Sequence, residues 1–334
     1  MILVTGGTGL LGSHLLLHLL GTEETVTAIY RPNSDLEKVR KVFSYYHKDA
    51  DTLFSKINWA EADLNDIPAL EKAFEGVTHV YHCAALISFD PKDYEILRKI
   101  NVDGTSNIVN LCIENHVEKL CYASSIATIG KSINEPATEE TEWSGQDHNV
   151  YALTKYDAEL EVWRGSQEGL PVVMVNPGLI VGPGFWNSGS GKLFTVAAKG
   201  SSYYPPGGTG FVTVDDVVSI MKKIMESPNK NHRFITVGQN LTYHEILERI
   251  ASTLNRKVPT KAISHWQLQI LWRLDWLRTK LTMGERKLSK IAVASLKHRQ
   301  RYSSKKVMGF LGMEFNDLTE TIRFSCNLFK EENP

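Results

Sequence analysis

A short apolar strand, a glycine-rich turn and an apolar helix follow one another at the very start of the chain. Residues 1–20 read MILV, then TGGTGLLG, then SHLLLHLL. The glycines at Gly6, Gly9 and Gly12 let backbone N–H groups approach a pyrophosphate closely, and the helix N-terminus offers it partial positive charge. Their GxxGxxG spacing differs from the GxGxxG of the usual dinucleotide fingerprint. The corner therefore predicts nucleotide binding, with a tight turn that holds no ligand as the alternative.

Composition excludes several classes of protein. The chain has 334 residues, 42% hydrophobic and 22% charged, which is ordinary for a soluble enzyme with a large core. A formal net charge of −1 gives no electrostatic case for nucleic acid or an anionic membrane. The four cysteines lack metal-ligand spacing and do not suggest a disulfide framework. With a glycine turn too early for a signal peptide and no apolar run of about 18 residues, we expect a cytoplasmic protein without a metal or a membrane span.

The first half of the chain alternates strand and helix patterns. The predicted strands are residues 1–4, 25–30, 56–61, 79–83, 119–123 and 172–176, and the predicted helices are 11–20, 36–47, 67–74, 93–115 and 151–165. This rhythm predicts an α/β fold with a Rossmann-type, doubly wound parallel sheet and a ligand at the carboxyl ends of its strands. We predict a dinucleotide-binding domain of residues 1–178 plus 211–239. A smaller, mostly helical substrate lobe would comprise residues 179–210 plus 240–334.

A tyrosine and a lysine four residues apart stand on the last of these helices. The spacing of Tyr151 and Lys155 in YALTK puts both side chains on one helix face, about one turn apart. A nearby ammonium favours the phenolate, so we expect a lowered pKa for Tyr151 and proton transfer at neutral pH. Because YxxxK is common by chance, a surface helix pair is the alternative.

Two further polar positions lie where the fold would bring chemistry together. Ser124 and Ser125 follow the strand at 119–123, where a hydroxyl can hydrogen-bond a carbonyl oxygen as charge develops on it. Asn101, close to Gly104, is poor helix chemistry inside the predicted helix and indicates a kink or a water site. A turn serine is the structural alternative for the first pair.

These residues together resemble the extended short-chain dehydrogenase/reductase family, the NAD-dependent epimerase/dehydratase superfamily. The matching motifs, in chain order, are TGGTGLLG at 5–12, DL at 63–64, HCAA at 82–85, NVDGT at 101–105, ASS at 123–125, YALTK at 151–155, NPGLIVGPG at 176–184 and FVTVDDV at 211–217. The resemblance implies that Tyr151 is the general acid/base and that Lys155 holds the nicotinamide ribose. It also implies that Ser125, rather than Ser124, polarises the substrate oxygen. Asn101 would support a water or the helix kink.

The resemblance also implies a set of cofactor contacts. Asp63 would accept from the adenine amino group, the small Ala84 and Ala85 would let the backbone approach the cofactor, and Pro177 and Gly178 would lie against the nicotinamide. The full implied set is Gly6, Gly9, Leu10, Leu11, Gly12, Arg31, Asp63, Leu64, Ala84, Ala85, Tyr151, Lys155, Pro177 and Gly178.

The end of the second strand bears on the choice of cofactor. An NAD enzyme usually places Asp or Glu there to bind the ribose 2′-hydroxyl, but this chain has Tyr30 and Arg31. A guanidinium suits a 2′-phosphate, so NADP is favoured over NAD. The alternative is a solvated Arg31 in an enzyme that uses NAD. Asp35 lies too far along the chain to change this.

The substrate is less directly encoded. Ile126 and Ala127 stand where family dehydratases carry Asp-Glu, which argues against dehydration. The segment 182–200 offers Lys192 and Lys199 to a sugar diphosphate but is mainly Gly, Ser, Phe and Trp. Arg31 with the NPG motif is most similar to the dihydroflavonol reductase and 3β-hydroxysteroid dehydrogenase-like branch, whose members act on apolar molecules. Aromatic residues compatible with such a substrate are Phe185, Trp186, Tyr203, Tyr204 and those of 266–276. At Thr213 the family's usual histidine is replaced, so no role is carried over.

The main hypothesis is therefore an NADP(H)-dependent oxidoreductase that reduces a ketone or aldehyde, or oxidises the secondary alcohol, of a fairly apolar small molecule. A sugar-nucleotide epimerase with tightly bound NAD is the first alternative. A non-catalytic dinucleotide-binding regulator is the second, although a regulator has no need of the tyrosine, lysine and serine. A homodimer is a family-level expectation.

A tryptophan-rich segment at 265–283 is set apart by its composition. Its interruption by Arg273, Asp275, Arg278 and Lys280 excludes a membrane-spanning helix. The favoured interpretation is a packing helix that covers the substrate cleft. An apolar lid or an interfacial surface comes next, followed by a dimer contact.

Overall fold

The computed structural model describes residues 1–22, 25–132, 134–145, 149–282, 293 and 296–333. The strands in this part of the chain are β1 (Ile2–Thr5), β2 (Val26–Tyr30), β3 (Ile57–Glu61), β4 (His79–His82), β5 (Lys119–Ala123), β6 (Val172–Pro177), β7 (Leu179–Val181), β8 (Tyr203–Tyr204), β9 (Gly208–Thr213), β10 (His232–Thr236), β11 (Gln239–Thr242) and β12 (Lys261–Ala262). The α-helices are α1 (Leu10–Leu20), α2 (Leu36–Ser44), α3 (Ala50–Ser55), α4 (Ile67–Ala73), α5 (Tyr94–Leu97), α6 (Gly104–Glu114), α7 (Val150–Gln167), α8 (Lys192–Ala198), α9 (Val214–Glu226), α10 (Tyr243–Thr253), α11 (His265–Thr282), α12 (Lys305–Leu311) and α13 (Leu318–Glu332).

Seven parallel strands form the central sheet, in the order β10-β6-β5-β4-β1-β2-β3. The chain runs from β1 outward to β3, then returns to β4 and builds the other half of the sheet. This reversal beside β1 is the switch point at which doubly wound sheets bind ligands. The predicted Rossmann-type fold is confirmed.

Helices cover both faces of the sheet, which explains why its central strands are mainly apolar. On one face Val4 packs with leucines of α1 and valines of α9. On the other, Leu3 lies in a cluster with Ile108 of α6 and Val162 of α7. Neighbouring residues of β1 therefore enter opposite cores, as strands of buried parallel sheets do.

The six predicted strands of the sheet are confirmed to within one residue at each end, but β10 was not predicted. Its sequence, HRFIT, is short and starts with two polar residues, so local pattern does not separate it from a loop. The predicted helix at 93–115 is divided into α5, a π-helix at Arg98–Asp103 and α6. The helical irregularity expected at Asn101 is present as this π-helical segment.

A second region follows the central sheet. Strands β7 and β11 flank β9 in a three-stranded sheet, and β8 pairs with β12. Phe194, Ile250 and Phe329 lie in a separate apolar cluster in this region. Beyond residue 240 the described chain is mainly helical, as predicted. The division into two lobes at the stated boundaries stays a prediction.

The described residues contain neither a candidate membrane span nor a candidate metal site. No helix there combines the length and apolarity that a membrane crossing requires. Within the same residues, no three His, Cys, Asp or Glu side chains are grouped as metal ligands.

Candidate active site

The glycine-rich turn between β1 and α1 lies at the carboxyl edge of the sheet. Gly6 has a positive φ of 71°, and a Cβ there would come within 2.6 Å of the Ala84 backbone nitrogen. A Cβ on Gly12 would lie 2.1 Å from the Gly6 carbonyl oxygen. Both glycines are therefore required by the close packing of the protein's own backbone.

Gly9 differs from its two neighbours in the motif. It is the N-cap of α1 in extended conformation, and a Cβ there would meet only the Gly6 oxygen, at 3.5 Å. The first turn of the helix, which begins with Leu10 and Leu11, carries no acidic side chain. Because the protein itself does not require glycine here, the open space and the free helix end fit a phosphate group that approaches the backbone.

The end of β4 is held against this turn by a buried hydrogen-bond chain. The Thr5 hydroxyl lies 2.6 Å from His82 Nδ1, and His82 Nε2 lies 2.9 Å from the Thr105 hydroxyl. Burial lowers the pKa of His82 to about 3, so its imidazole is neutral. The Ala84 N–H donates to Thr5 Oγ1 at 3.3 Å, while Ala85 is exposed. The structure thus brings Ala84 beside the glycine turn, as the resemblance implies.

Arg31 directly follows β2 and is exposed at the carboxyl edge of the sheet. Its backbone N–H donates to the Ser34 hydroxyl at 3.1 Å, which shapes the loop. Asp35 instead caps α2 by accepting from the Lys38 N–H at 3.3 Å. That carboxylate has a structural partner, in agreement with its exclusion from cofactor choice.

Asp63 and Leu64 lie just beyond β3. The Asp63 carboxylate accepts from the Asn65 backbone and side chain at 3.0 and 3.2 Å. Leu64 is buried against Gly104, and its carbonyl accepts from Asn107 Nδ2 at 2.8 Å. These contacts tie the loop to the start of α6 and leave Asp63 half-buried at the sheet edge.

The two serines after β5 have different partners. Ser124 is buried and donates to Glu159 Oε2 at 2.7 Å. Ser125 accepts from the Ala127 N–H at 3.1 Å, and its hydroxyl lies close enough to Tyr151 to lower the pKa of that tyrosine. Ser125 is therefore the serine that faces Tyr151, which favours it over its neighbour.

Lys155 is buried and held at the end of β5. Its ammonium donates to the Tyr122 hydroxyl at 2.6 Å and to the Ala123 carbonyl at 2.9 Å. It also lies 4.2 Å from the centre of the Tyr122 ring. Burial lowers the pKa of Lys155 to about 7, and the Glu159 carboxylate opposes that fall.

The expected lowering of the Tyr151 pKa is wrong. Burial raises the pKa of Tyr151 to about 12, and the neighbouring Ser125 hydroxyl only partly offsets that rise. The lysine that was expected to stabilise the phenolate donates to Tyr122 and Ala123. Tyr151 is consequently a protonated phenol at neutral pH.

The buried carboxylate of Glu159, which the sequence did not lead us to predict, accepts hydrogen bonds from several residues of the site. Glu159 Oε2 accepts from Ser124, from Thr128 at 2.8 Å and from Asn176 at 3.0 Å, and its other oxygen accepts from Arg233 at 2.8 Å. Glu159 stands four residues after the lysine, on the same helix face. That i+4 spacing is the signal that could have identified it.

Asn101 sits in the π-helix and is almost wholly buried. Its side chain accepts from the Leu86 N–H at 2.8 Å and donates to the Leu86 carbonyl at 3.0 Å. It also donates to the Thr154 hydroxyl at 3.2 Å. Asn101 therefore fixes the loop after β4 against α7, one residue before Lys155.

The end of β6 completes the edge. Pro177 pairs with Thr236 of β10, and the Gly178 N–H donates to the Thr236 carbonyl at 3.1 Å. A Cβ on Gly178 would lie 2.5 Å from the Gly210 carbonyl oxygen. Thr213, which replaces the family's histidine, donates to Asp216 at 2.8 Å and caps α9.

The aromatic residues of the second region do not all lie open to a substrate. Trp186 is buried between Phe194 and Phe329, with ring centres 5.2 and 5.3 Å away, and donates to Glu332 at 2.9 Å. Its expected part in the substrate surface is therefore wrong, because it forms the core of that region. Tyr203 remains exposed.

The chain matches a known protein family. The model of the NAD dependent epimerase/dehydratase family matches residues 2–238. The chain belongs to this family. It is accordingly an enzyme, an oxidoreductase that acts on CH–OH or C=O groups.

The chain is similar to family members whose names give different activities. The chain is 31% identical to sterol demethylase protein B of Methylococcus capsulatus over 78% of this chain and 76% of that one. It is 29% identical to tetraketide alpha-pyrone reductase 2 of Arabidopsis thaliana, over 74% and 80%. The crystal structure of gox2253 superposes with a TM-score of 0.82 and 26% identity, over 100% of this chain and 98% of that one.

Proposed function

We propose that this chain is an NADP(H)-dependent reductase of a ketone or aldehyde in a fairly apolar small molecule, or the dehydrogenase of the corresponding secondary alcohol. One observation carries the proposal. The Ser125 hydroxyl lies close enough to Tyr151 to lower the pKa of that tyrosine, and Lys155 is buried on the same helix face as the tyrosine. Such a pair can bind and protonate one oxygen atom of a substrate.

The protonation state of Tyr151 favours reduction. Its pKa of about 12 keeps the phenol protonated at neutral pH, so it can donate a proton to a carbonyl oxygen. Ser125 would donate a hydrogen bond to the same oxygen as negative charge develops. When bound, a reduced nicotinamide supplies the hydride for the carbonyl carbon. Lys155 would hold the nicotinamide ribose.

Exposed apolar side chains beside Tyr151 support an apolar substrate. The Phe89 ring lies 5.8 Å from the Tyr151 ring at an interplanar angle of 77°. Phe89 and Ile87, on the loop after β4, are both exposed. A substrate that reaches Tyr151 would cover these side chains and remove their apolar surface from water. The names of the two curated relatives, a sterol-processing protein and a pyrone reductase, are compatible with this class.

The preference for NADP rests on Arg31. Its position after β2, together with the commitment of Asp35 to the α2 cap, supports recognition of a 2′-phosphate. Arg31→Ala should raise the Kd for NADPH by about tenfold or more and leave the Kd for NADH unchanged. Arg40→Ala removes another exposed arginine, which lies on α2 and pairs with Asp51, and should change neither value. A protein that prefers NADH, with no effect of Arg31→Ala, would contradict the preference.

A substrate screen separates the proposal from its alternatives. Purified protein is mixed with NADPH and with ketosteroids, dihydroflavonols, aromatic aldehydes or UDP-sugars, and absorbance of the reduced nicotinamide is followed. A reductase consumes NADPH with at least one carbonyl compound. An epimerase converts a UDP-sugar without net consumption of nicotinamide, and a regulator binds NADPH without turnover.

A cytoplasmic location is also proposed. Each of the four cysteines is a free thiol, and Cys112, Cys121 and Cys326 are buried. Reduced thiols of this kind are typical of a reducing compartment. Measurement of thiols in protein from whole cells, with and without reductant, checks this, and oxidised cysteines would contradict it.

A further inference from the structure

Tyr122 carries a polar group into the most deeply buried part of the sheet. It lies on β5, all of whose residues are buried, and its side chain is fully enclosed. Burying a hydroxyl group costs free energy unless the group is hydrogen-bonded. A phenylalanine would fill nearly the same space without that cost, so packing alone does not explain why a tyrosine stands here.

The Tyr122 hydroxyl meets the ammonium of Lys155. Lys155 Nζ lies 2.6 Å from Tyr122 Oη and 2.9 Å from the Ala123 carbonyl oxygen, and it donates to both. Within the described ranges these two oxygen atoms are the acceptors of the ammonium. An ammonium has three N–H donors around a tetrahedral nitrogen. Two acceptors fixed on the same strand therefore set the direction of the third N–H, which is left for a ligand.

A hydroxyl suits this lysine in both of its charge states. Burial lowers the pKa of Lys155 to about 7, so the amine changes charge near neutral pH. A hydroxyl accepts from the charged ammonium and can donate to the neutral amine, whereas the Ala123 carbonyl can only accept. Burial also raises the pKa of Tyr122 well above its usual value, so the hydroxyl keeps its proton. Tyr122 can thus hold the nitrogen in one place whichever charge it carries.

The Tyr122 ring is itself held by a hydrogen-bonded histidine. The His82 ring is stacked on it, with ring centres 5.4 Å apart and an interplanar angle of 24°. Both nitrogens of His82 have partners, the hydroxyls of Thr5 and Thr105. Because Thr5 directly precedes Gly6, one buried cluster joins the glycine-rich turn to the lysine.

We propose that Tyr122 is a positioning residue, which holds the Lys155 amine so that its remaining N–H is directed at the nicotinamide ribose. This inference rests on the proposed function, in which Lys155 binds that ribose. Tyr122 would act only through Lys155. Removing its hydroxyl should therefore weaken binding of the nicotinamide half of the cofactor and spare the adenosine half.

The affinities of two ligands for four proteins test this role. The ligands are NADPH and adenosine 2′,5′-bisphosphate, which has the adenosine half of the cofactor but no nicotinamide ribose. The proteins are the unmodified chain, Tyr122→Phe, Lys155→Met and the double variant. If the unmodified chain binds NADH in place of NADPH, then NADH and AMP are used instead.

Tyr122→Phe keeps the ring and removes the hydroxyl, so it should raise the Kd for NADPH by roughly tenfold. In the double variant, Tyr122→Phe should add nothing to the effect of Lys155→Met, since the hydroxyl acts through the amine. The Kd for adenosine 2′,5′-bisphosphate should be the same in all four proteins.

Tyr81→Phe is the matched control. Tyr81 is a buried tyrosine of the neighbouring strand β4, and it lies in the core on the opposite face of the sheet from Tyr122. Its replacement should change neither Kd. Urea unfolding of each variant confirms that it is folded.

The proposal is overturned if Tyr122→Phe leaves the Kd for NADPH unchanged while Lys155→Met raises it. It is also overturned if the two effects multiply in the double variant, or if the Kd for adenosine 2′,5′-bisphosphate rises together with that for NADPH. If Lys155→Met itself leaves the Kd for NADPH unchanged, the proposed contact between Lys155 and the ribose is wrong, and the role of Tyr122 falls with it. Turnover is not measured, so each result is independent of proton donation by Tyr151.

Discussion

Replacing Lys155 by methionine should reveal how much this buried lysine lowers the free energy of unfolding. The side chain is buried, and burial lowers its pKa from the ordinary 10.5 to about 7. A lysine that binds its proton less tightly in the folded state destabilises the fold. The penalty is complete below pH 7, where both states are protonated, and disappears above pH 10.5.

The size of the effect follows from the two pKa values. The full penalty below pH 7 is about 5 kcal/mol of unfolding free energy. Most of this penalty disappears when the pH rises from about 6.5 to about 9.5. Over that rise, the titration of this lysine should therefore increase the free energy of unfolding of the unmodified protein by roughly 3 kcal/mol. Lys155→Met removes that dependence, while its lost hydrogen bonds to Tyr122 and Ala123 cost stability almost equally at both pH values.

Urea unfolding at several pH values measures the difference between the two proteins. Lys155→Met should gain about 3 kcal/mol relative to the unmodified protein when the pH falls from about 9.5 to about 6.5. Lys192→Met, at an exposed lysine of α8, controls for the loss of a lysine at the surface. A stability difference that stays constant with pH would refute the reasoning, because the amine would then titrate alike in both states.

Three other expectations concern residues around the site. Gly9→Ala should leave thermal unfolding unchanged but weaken NADPH binding by about tenfold or more. Gly12→Ala should instead lower the free energy of unfolding by about 1–3 kcal/mol, since its methyl group would meet backbone atoms. The reverse pattern in calorimetry and fluorescence titration would contradict phosphate binding at Gly9. Glu159→Gln removes a carboxylate that raises the pKa of Lys155, so the alkaline limb of kcat/KM should move to lower pH. An unshifted profile would separate the two residues functionally. Asn101→Ala leaves a backbone N–H and C=O without their partner and should lower urea stability by about 1–3 kcal/mol; full stability would show that the loop holds without it.

The local pattern of apolar and polar residues was sufficient to predict much of the fold. The strands of the sheet are short and bounded by turns, and six were located correctly because most of them are apolar runs buried on both faces. The irregular helix at Asn101 could also be predicted, since an asparagine with a nearby glycine disfavours a regular α-helix. Strand β10 was not, because its place at the sheet edge depends on pairing with β6, which no local signal records.

The chemistry of the site was only partly readable from sequence. The YxxxK spacing correctly placed Tyr151 and Lys155 on one helix. The direction of the shift in the tyrosine pKa, however, depends on burial and on the partners of the lysine amine. Its partners Tyr122 and Ala123 come from β5, more than thirty residues earlier. Trp186 shows the same limit, since a ring in the core and a ring in a substrate pocket look alike in sequence.

The central claim is that Tyr151 donates the proton in a nicotinamide-dependent reduction. Its most direct test is the rate of NADPH oxidation by Tyr151→Phe, with a carbonyl substrate found in the screen. The rate should fall by about a hundredfold or more, while the Kd for NADPH, measured by fluorescence, stays within about twofold. A Tyr151→Phe variant that oxidises NADPH at the full rate would contradict the account.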